Sequence, residues 1–381
     1  MSHRDDRSSG KKKFRAAFRK EYDPRRRQTD WTRSFRNDQL DEDRLTAEER
    51  IGSRGEYARK RTVVGTPLED AAEGLPVQLE VDESRCLRGR VLSVHGLLSD
   101  VMTDDGQRYQ CATRRLLRTL ASDERHVVAA GDEVLFRPEP GNTGVIERIE
   151  PRRTVLCREN KGQKQVLVAN VDQLIIVASV AEPELKPNLI DRFLVTAERY
   201  GLRPLICINK LDLCHPADLQ PFLGVYAQLG YQVLAVSALT GQGIDRLRRA
   251  IVGRASAVAG QSGVGKSSLL NAIEPGLNLR VQPISEDTHK GRHTTTTAEW
   301  IPLQCGGFVV DTPGIRQFQL WDVAPEELAG FFPEFRPYVD RCRYPDCTHR
   351  HEDYCAVKDA VADGRIDLRR YESYCHIYSG E

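Results

Sequence analysis

Five short motifs in this chain have the residue types that bind a nucleoside triphosphate. In chain order they are Asn-Lys-Leu-Asp at 209–212, Ser-Ala at 237–238, a glycine-rich loop at 260–267, four threonines at 294–297 and Asp-Thr-Pro-Gly at 311–314. In an ordinary guanine-nucleotide switch the glycine-rich loop opens the domain and the Asn-Lys-x-Asp motif comes late. The order found here predicts one nucleotide site whose parts are circularly permuted along the chain.

The glycine-rich loop is predicted to hold the phosphates, because it fits G-x-x-x-x-G-K-S between a predicted strand and an apolar helical run. Its glycines let successive backbone N–H groups curl around phosphate oxygens. Lys266 brings a cation to the β- and γ-phosphates, and the hydroxyl of Ser267 can ligate Mg²⁺. The predicted phosphate-binding residues are Gly260, Gln261, Ser262, Gly263, Val264, Gly265, Lys266, Ser267 and Ser268.

The base is predicted to be guanine. The carboxylate of Asp212 can accept hydrogen bonds from the N1–H and the exocyclic amine of guanine, a pair of donors that adenine does not offer. Asn209 is expected to tie its loop to the phosphate loop, and the stem of Lys210, followed by Leu211, would lie along the purine. Ser237 and Ala238, which end a second predicted strand, would supply a backbone N–H to the guanine O6.

A magnesium ion is expected beside the phosphates. The carboxylate of Asp311 would hold Mg²⁺ through water, and the amide of Gly314 would sense the γ-phosphate. One of the four threonines should add a hydroxyl ligand, and the pattern favours Thr295 or Thr296 without choosing between them.

The residue after Gly314 is Ile315, whereas Ras-like switches have a glutamine there to orient the attacking water. Isoleucine cannot do this. Another residue or a partner must then position the water, or hydrolysis must be slow. His293, directly before the threonines, is the best local candidate for a catalytic residue, and His289 is the second.

A cluster near the C-terminus predicts a structural zinc site. Cys342, Cys347, His349 and Cys355 offer three thiolates and one imidazole within 14 residues. This donor set suits tetrahedral Zn²⁺ and leaves no open position for catalysis. A disulfide is the alternative, and His351 is a competing ligand.

Taken together, these motifs resemble the ribosome small-subunit-dependent GTPase A (RsgA) family over about residues 76–378. The resemblance implies an N-terminal oligonucleotide-binding (OB) barrel, a permuted GTPase core and a zinc domain ligated by the four residues above, in preference to His351. It also implies GTP hydrolysis stimulated by the small ribosomal subunit late in its assembly, contact with its rRNA through the barrel and the zinc domain, and a catalytic role for His293.

Bulk composition agrees with a cytoplasmic protein. The chain has 381 residues and a net charge of +1, with no apolar run of membrane-spanning length and no secretory signal at its start. Six of the ten cysteines are scattered singly, as expected in a reducing compartment. No heptad pattern predicts oligomerisation, so we expect a monomer that binds GTP or GDP and no membrane.

The elements that must position these residues divide the chain into four predicted parts. Residues 1–75 are expected to be a basic, disordered arm, since positions 1–36 contain thirteen Lys or Arg against five Asp or Glu. Residues 76–160 should form the OB barrel, 161–320 the α/β GTPase domain and 321–381 the helical zinc domain. In the barrel, the arginines predicted to flank a binding face are Arg114, Arg115, Arg118, Arg152, Arg153 and Arg158.

Buried parallel strands are predicted in the α/β domain because near-continuous apolar runs occur there. The runs are at 173–178, 204–208, 233–236, 255–259 and 308–310. The last four end directly before a motif, at the position where open α/β sheets bind ligands.

Two other functions are considered for the whole chain: an RNA-binding adaptor with a structural, poorly hydrolysing pocket, and a P-loop ATPase or kinase. Asp212 opposes the ATPase.

Overall fold

The computed structural model describes residues 12–17, 60–67, 77–120, 127–160, 163–277, 279, 298–311 and 323–380. In these residues it has a closed β-barrel, an α/β domain on a six-stranded sheet, and a helical C-terminal region. The predicted fold class is therefore confirmed.

The barrel consists of five strands that close on themselves. They are β4 (Leu87–His95), β5 (Leu98–Thr103), β6 (Arg108–Thr113), β7 (Glu133–Glu139) and β8 (Thr143–Ile149), with helix α1 (Arg115–Leu120) between β6 and β7. The strand order is β4-β5-β6-β8-β7, and only β6 and β8 are parallel. This five-stranded arrangement is that of an OB-fold, and its interior is filled by apolar side chains such as Val91, Phe136 and Ile146.

Near the N-terminus the structure describes a small antiparallel sheet of β1 (Lys12–Ala17), β2 (Lys60–Pro67) and β3 (Val77–Leu79). The first two strands fall in the region predicted as a disordered arm, so at these positions the structure differs from the expectation. The other residues of that arm lie outside the described residues. After the barrel, β9 (Val155–Asn160) and β10 (Gln163–Ala169) form a hairpin that leads into the α/β domain.

The α/β sheet consists of six strands in the order β13-β12-β11-β14-β16-β15. They are β11 (Gln173–Ser179), β12 (Arg203–Asn209), β13 (Gln232–Ala235), β14 (Ala255–Ala259), β15 (Glu299–Pro302) and β16 (Phe308–Asp311). All neighbours are parallel except β15 and β16, so β15 is an antiparallel edge strand.

Helices cover both faces of this sheet, which explains why its central strands are apolar throughout. Successive residues of β11 point to opposite faces, so Ile176 joins the core beneath α2 (Pro187–Arg199) and α3 (Pro216–Gln228). Ile175 joins the second core, beneath α4 (Ile244–Ile251) and α5 (Lys266–Ile273).

The C-terminal region is held together by aromatic side chains. Its elements are a 3₁₀ helix (Pro325–Phe331), α6 (Arg336–Val339), α7 (Ala356–Ala362) and α8 (Leu368–Ser379). Phe332, Phe335 and Tyr374 are fully buried between them, and the Phe335 and Tyr374 ring centroids lie 4.9 Å apart. Val195 of α2 belongs to the same core, which joins this region to the α/β domain.

The barrel contacts the other side of the α/β domain at β15. The guanidinium of Arg90, paired with Glu133 at 2.5 Å, lies 5.1 Å from the ring centroid of Trp300. A Cβ on Gly131 would meet the carbonyl oxygen of Ala169 at 2.1 Å and the Trp300 ring at 2.5 Å. Only glycine allows this approach, and the φ of +94° at Gly131 also favours it. None of the helices in the described ranges has the length and apolar character needed to cross a lipid bilayer.

Candidate nucleotide and metal sites

Three of the predicted motifs meet at the carboxyl edge of the α/β sheet. Strand β12 ends at Asn209, β13 leads to Ser237, and β14 leads to Gly260. These strands lie within four adjacent positions of the sheet, with β11 between β12 and β14. Motifs separated along the chain therefore lie next to one another in space.

The side chain of Asn209 joins all three loops. It is 2% exposed, and its Nδ2 donates a hydrogen bond of 2.9 Å to the carbonyl oxygen of Val264 in the glycine-rich loop. Its Oδ1 accepts a hydrogen bond of 3.1 Å from the backbone N–H of Ala238. Because both ends of one buried amide are used, Asn209 fixes the spacing between the base-reading loops and the phosphate loop.

Asp212 is exposed but held in one orientation. The hydroxyl of the buried Ser237 donates to its Oδ1, and the backbone N–H of Thr240 donates to the Ser237 oxygen at 3.1 Å. The backbone N–H of Leu211 also donates to the carbonyl of Val236 at 3.0 Å. Ser237 thus orients the carboxylate of Asp212. The Ser-Ala motif predicts only a backbone role for this serine; the Ser-x-x-Thr spacing at 237–240 is the signal for its side-chain role.

Lys210 lies beside the same loop in a left-handed backbone conformation, with φ of 64°. Its Nζ donates a hydrogen bond to the carbonyl oxygen of Glu182, a residue outside the predicted motifs. This hydrogen bond joins the Lys210 side chain to the segment at Glu182.

The glycine-rich loop has the tight geometry that its glycines predict. At Gly260, with φ of +145°, a Cβ would lie 2.1 Å from the carbonyl oxygen of Val177. At Gly265, with φ of +90°, it would lie 2.5 Å from Nδ2 of Asn209. Neither position accepts a side chain, so the loop passes close to β11 on one side and to the Asn209 amide on the other.

The Lys266 ammonium points into this loop. Its Nζ donates to the carbonyl oxygens of Gly260 at 2.8 Å and Gln261 at 2.7 Å. Ser267 follows directly, in the first turn of α5, and both side chains are half-buried. A cation and a hydroxyl are therefore placed at the start of a helix that follows a glycine-rich loop, as phosphate binding requires.

The remaining predicted residues of the nucleotide site lie at positions 293–296 and 311–314. Asp311 is the last residue of β16, next to β14 in the sheet. The other predicted residues, Gly314, His293, Thr295 and Thr296, lie outside the described residues.

The four predicted metal ligands come together in one cluster. The donor atoms of Cys342, Cys347, His349 and Cys355 all lie within 4.8 Å of one another. The Sγ atoms of Cys342 and Cys355 are 3.9 Å apart, and each lies 3.5 Å from Nδ1 of His349. The three distances among Cys342, His349 and Cys355 match the edges of a tetrahedral zinc site, and the whole set of three sulfurs and one nitrogen is compatible with one. The side chain of His351 is 81% exposed and is not part of the cluster.

Burial changes the proton affinity of these ligands. It raises the pKa of the Cys347 thiol to about 12 and raises that of Cys355 as well. It lowers the pKa of His349, so this imidazole is neutral at pH 7. In the absence of metal, the partly buried Cys347 therefore retains its proton at neutral pH.

A second set of residues supports the ligand loop. Glu352 accepts hydrogen bonds from the backbone N–H and the hydroxyl of Thr348, at 2.8 and 2.6 Å, and from the N–H of Arg350 at 3.0 Å. Burial opposes the ionisation of Glu352, but these hydrogen bonds outweigh it and hold the pKa well below its usual range. The Tyr371 hydroxyl donates to the His349 carbonyl at 2.8 Å. These contacts fix the backbone around His349, which has a φ of 60°.

The prediction made for one of the barrel arginines is wrong. Arg152 was expected to flank a binding face, but it is 6% exposed and pairs with the fully buried Asp132 at 2.8 Å. It joins the segment after β8 to the residues that precede β7, through Asp132 and the carbonyl oxygen of Val127. Arg114 pairs with Glu147 at 2.9 Å, whereas Arg153 is largely exposed. Arg115 is exposed.

Comparison with known proteins agrees with this geometry. Residues 149–321 match the family described as RsgA GTPase. The chain is 41% identical over 297 residues to the small ribosomal subunit biogenesis GTPase RsgA of Sodalis glossinidius, covering 76% of this chain and 84% of that protein. It is also 41% identical over 295 residues to the protein of the same name from Thermotoga petrophila, covering 76% and 95%.

Two solved structures are similar over most of their length. YjeQ from Thermotoga maritima has a TM-score of 0.65 and 39% identity, covering 77% of this chain and 98% of that one. YloQ, described as a circularly permuted GTPase, has a TM-score of 0.62 and 30% identity, covering 79% and 96%.

Proposed function

This chain belongs to the RsgA GTPase family, and from that premise we propose that it binds GTP at the carboxyl edge of its sheet and hydrolyses it during assembly of the small ribosomal subunit. The observation that carries the proposal is the pair of hydrogen bonds made by the Asn209 amide, to Val264 at 2.9 Å and from Ala238 at 3.1 Å. They bring a phosphate-binding loop and two base-reading loops into one site despite their permuted order.

Guanine is selected by Asp212. Its carboxylate, oriented by the Ser237 hydroxyl, accepts from the N1–H and the exocyclic amine of the base. The predicted N–H contact from the Ser237–Ala238 loop to the guanine O6 would be shared with the hydrogen bonds that these N–H groups already make to Gln242 and Asn209. The stem of Lys210 packs on the purine ring. ATP offers no matching donors at these positions, so the site discriminates against it.

The phosphates are held by residues 260–268. Lys266 exchanges its hydrogen bonds to the Gly260 and Gln261 carbonyls for bonds to the β- and γ-phosphates. Ser267 and one of Thr295 and Thr296 are the proposed direct protein ligands for Mg²⁺, and Asp311 holds it through water. When bound, Mg²⁺ would neutralise negative charge on the β- and γ-phosphate oxygens. Gly314 donates its amide to the γ-phosphate.

His293 is proposed to orient the attacking water, because Ile315 follows Gly314 and has no polar atom for this task. His293→Ala should lower turnover by about 10²- to 10⁴-fold, the range typical of positioned proton-transfer groups, while GTP affinity stays unchanged. His289→Ala tests the second candidate, and a loss of turnover confined to His293→Ala supports the assignment. Unchanged turnover in His293→Ala would remove this residue from the mechanism.

One structural zinc ion is proposed at Cys342, Cys347, His349 and Cys355. It would staple the C-terminal elements and leave catalysis to the nucleotide site. The barrel and this zinc domain are proposed to contact rRNA, and the protein is proposed to act in the cytoplasm as a monomer.

The test is GTP hydrolysis by the purified zinc-loaded protein with and without purified small ribosomal subunits. We expect stimulation by small subunits, none by large subunits, and competition by GDP but not by ATP. Ser267→Ala is the negative control for nucleotide-dependent activity. A rate that is the same with and without small subunits would refute the ribosomal part of the proposal. Equal competition by ATP and GTP would refute the guanine site.

A further inference from the structure

A second cationic site lies on the α/β domain, away from the nucleotide motifs. It is a groove of about 470 Å³ whose lining includes Arg203, Arg246, Arg249 and Arg254. Gln232 and Leu234 of the edge strand β13 contribute to its wall. None of these four arginines belongs to the sites described above.

The groove occupies the amino edge of the sheet. Arg203 is the first residue of β12, and Arg254 directly precedes β14. Arg246 and Arg249 lie on α4. The nucleotide motifs follow the carboxyl ends of the same strands. Since β12 has seven residues and a strand rises about 3.3 Å per residue, the two sites are separated by roughly 20 Å.

The positive charge of the groove is not neutralised by carboxylates. Arg203 donates to the side-chain oxygen of Gln232 at 3.0 Å, and Arg249 donates to a backbone carbonyl at 3.3 Å. Arg254 donates to Gln173 at 3.4 Å and to a backbone carbonyl at 3.2 Å. The side chain of Arg246 has no hydrogen bond or ion pair to the part of the chain that the structure describes.

The carboxylates of the adjoining segments are engaged elsewhere. Asp245 on α4 binds Arg248 at 3.0 Å. Asp172, directly before β11, accepts from the N–H of Ala255 at 2.8 Å and lies 3.5 Å from Arg153. Four guanidinium groups with only neutral partners around one groove repel one another. An anion that bridged them would remove this repulsion.

We propose that this groove binds the sugar-phosphate backbone of RNA. Arg203, Arg246 and Arg249 are exposed, whereas a site for a small phosphate ligand would enclose its charged groups. A sugar-phosphate backbone that runs along the groove needs contact on one side only. Each guanidinium group can donate two parallel hydrogen bonds to the oxygens of one phosphate. The choice of RNA over another polyanion rests on the proposed ribosomal function. The groove adds an RNA contact on the GTPase domain itself.

The test measures binding of a generic RNA hairpin and, separately, of small ribosomal subunits between about 50 and 200 mM salt. The groove variant is Arg246→Gln/Arg249→Gln, and the charge-matched control is Arg192→Gln/Arg199→Gln on α2. If each arginine neutralises one phosphate, the slope of log K against log salt becomes shallower by about 1.4 to 1.8 for the groove variant. The control should keep the wild-type slope. Basal GTP hydrolysis should be unchanged in both variants, which also reports that they are folded.

Three outcomes would overturn the proposal. They are equal slopes for wild type and groove variant, a slope change of the same size in the control, and absence of hairpin binding by the wild type even at low salt. Titration with inorganic pyrophosphate is the remaining arm. If pyrophosphate binding depends on the groove arginines while hairpin binding does not, the groove is a small-anion site instead. Because the hairpin assay needs no ribosome, its failure is distinguishable from a failure of subunit-stimulated hydrolysis.

Discussion

The guanidinium of Arg370 on α8 lies 2.6 Å from the carboxylate of Asp191 on α2, and both side chains are almost completely buried. The same arginine pairs with Glu334 at 2.7 Å, and the hydroxyl of Tyr226 donates to Asp191 at 2.9 Å. Burial alone would lower the pKa of Arg370, but the two carboxylates outweigh it and raise that pKa above its usual value. This ion-pair network fastens the C-terminal region to the α/β domain.

Replacing Arg370 should destabilise the protein strongly. In Arg370→Leu, two carboxylates would remain buried without a cation, and breaking a buried pair in this way costs about 3–5 kcal/mol of unfolding free energy. Urea unfolding of the zinc-loaded protein measures this loss. Arg369→Leu, one position earlier with 44% of its side chain exposed, should cost less than about 1 kcal/mol. Equal stability of the two variants would contradict a structural role for the network.

Removing the Asn209 amide should separate the loops. Asn209→Ala would leave the Val264 carbonyl and the Ala238 N–H without their partners, at about 1–3 kcal/mol for each buried group. We expect GTP affinity to fall at least tenfold, because the base-reading and phosphate-binding loops lose their fixed spacing. Titration with a fluorescent GTP analogue measures this effect. Gln228→Ala, at the exposed end of α3, is the control. Equal GTP affinity of the two variants would contradict the role assigned to Asn209.

Asp212→Asn should change the base preference. The substitution keeps an oxygen that accepts the Ser237 hydroxyl, but it replaces an acceptor by a donor opposite the exocyclic amine of guanine. Hydrogen bonds to a charged group contribute about 1.5–3 kcal/mol each, so GTP affinity should fall by about 100-fold. Xanthine carries an oxygen in place of that amine, so XTP binding should improve.

Competition binding with GTP, XTP and ATP measures this exchange, and Asp218→Asn on α3 serves as the control. If Asp212→Asn weakened GTP and XTP equally, Asp212 would hold the loop together without reading the base.

Zinc affinity should rise with pH. Burial raises the pKa of Cys347 to about 12 in the metal-free cluster, so near pH 7 this thiol must lose a proton when metal binds. The bound state holds fewer protons than the free state, and raising the pH therefore favours binding, by up to about tenfold per pH unit for each proton released. Competition with a chromophoric chelator between pH 6.5 and pH 8 measures the slope.

Two cysteine variants complete this experiment. Cys342→Ser removes a ligand and should weaken zinc binding, whereas Cys375→Ser alters a cysteine outside the cluster and should preserve it. A zinc affinity that does not change with pH would contradict ligation by initially protonated thiols.

The strands that carry the nucleotide motifs were predictable because their burial on both faces makes them continuously apolar. The run at 255–259 coincides with β14, and that at 173–178 differs from β11 by one residue. Strand β5 was not predicted. Its inward-facing positions include Ser99 and Thr103, which are 1% and 7% exposed, so the apolar alternation that marks a half-buried strand is weak there.

Local spacing also predicted the zinc cluster, since its ligands lie within one short segment. The tie between Asp191 and Arg370 was not predictable, because these residues are 179 positions apart and each occurs in an ordinary amphipathic helix. Arg152 was misassigned for a related reason. An arginine in a basic run is usually solvated, and only the three-dimensional position of Asp132 makes it internal.

The strand order also sets the course of this protein's own synthesis. Strands β11, β12 and β13 occupy one half of the sheet and precede all of β14, β15 and β16, which occupy the other. During translation the residues predicted to recognise the purine, up to Ala238, are therefore synthesised before Lys266. The proposed nucleotide site therefore cannot be complete until β14 has been synthesised and has paired with β11.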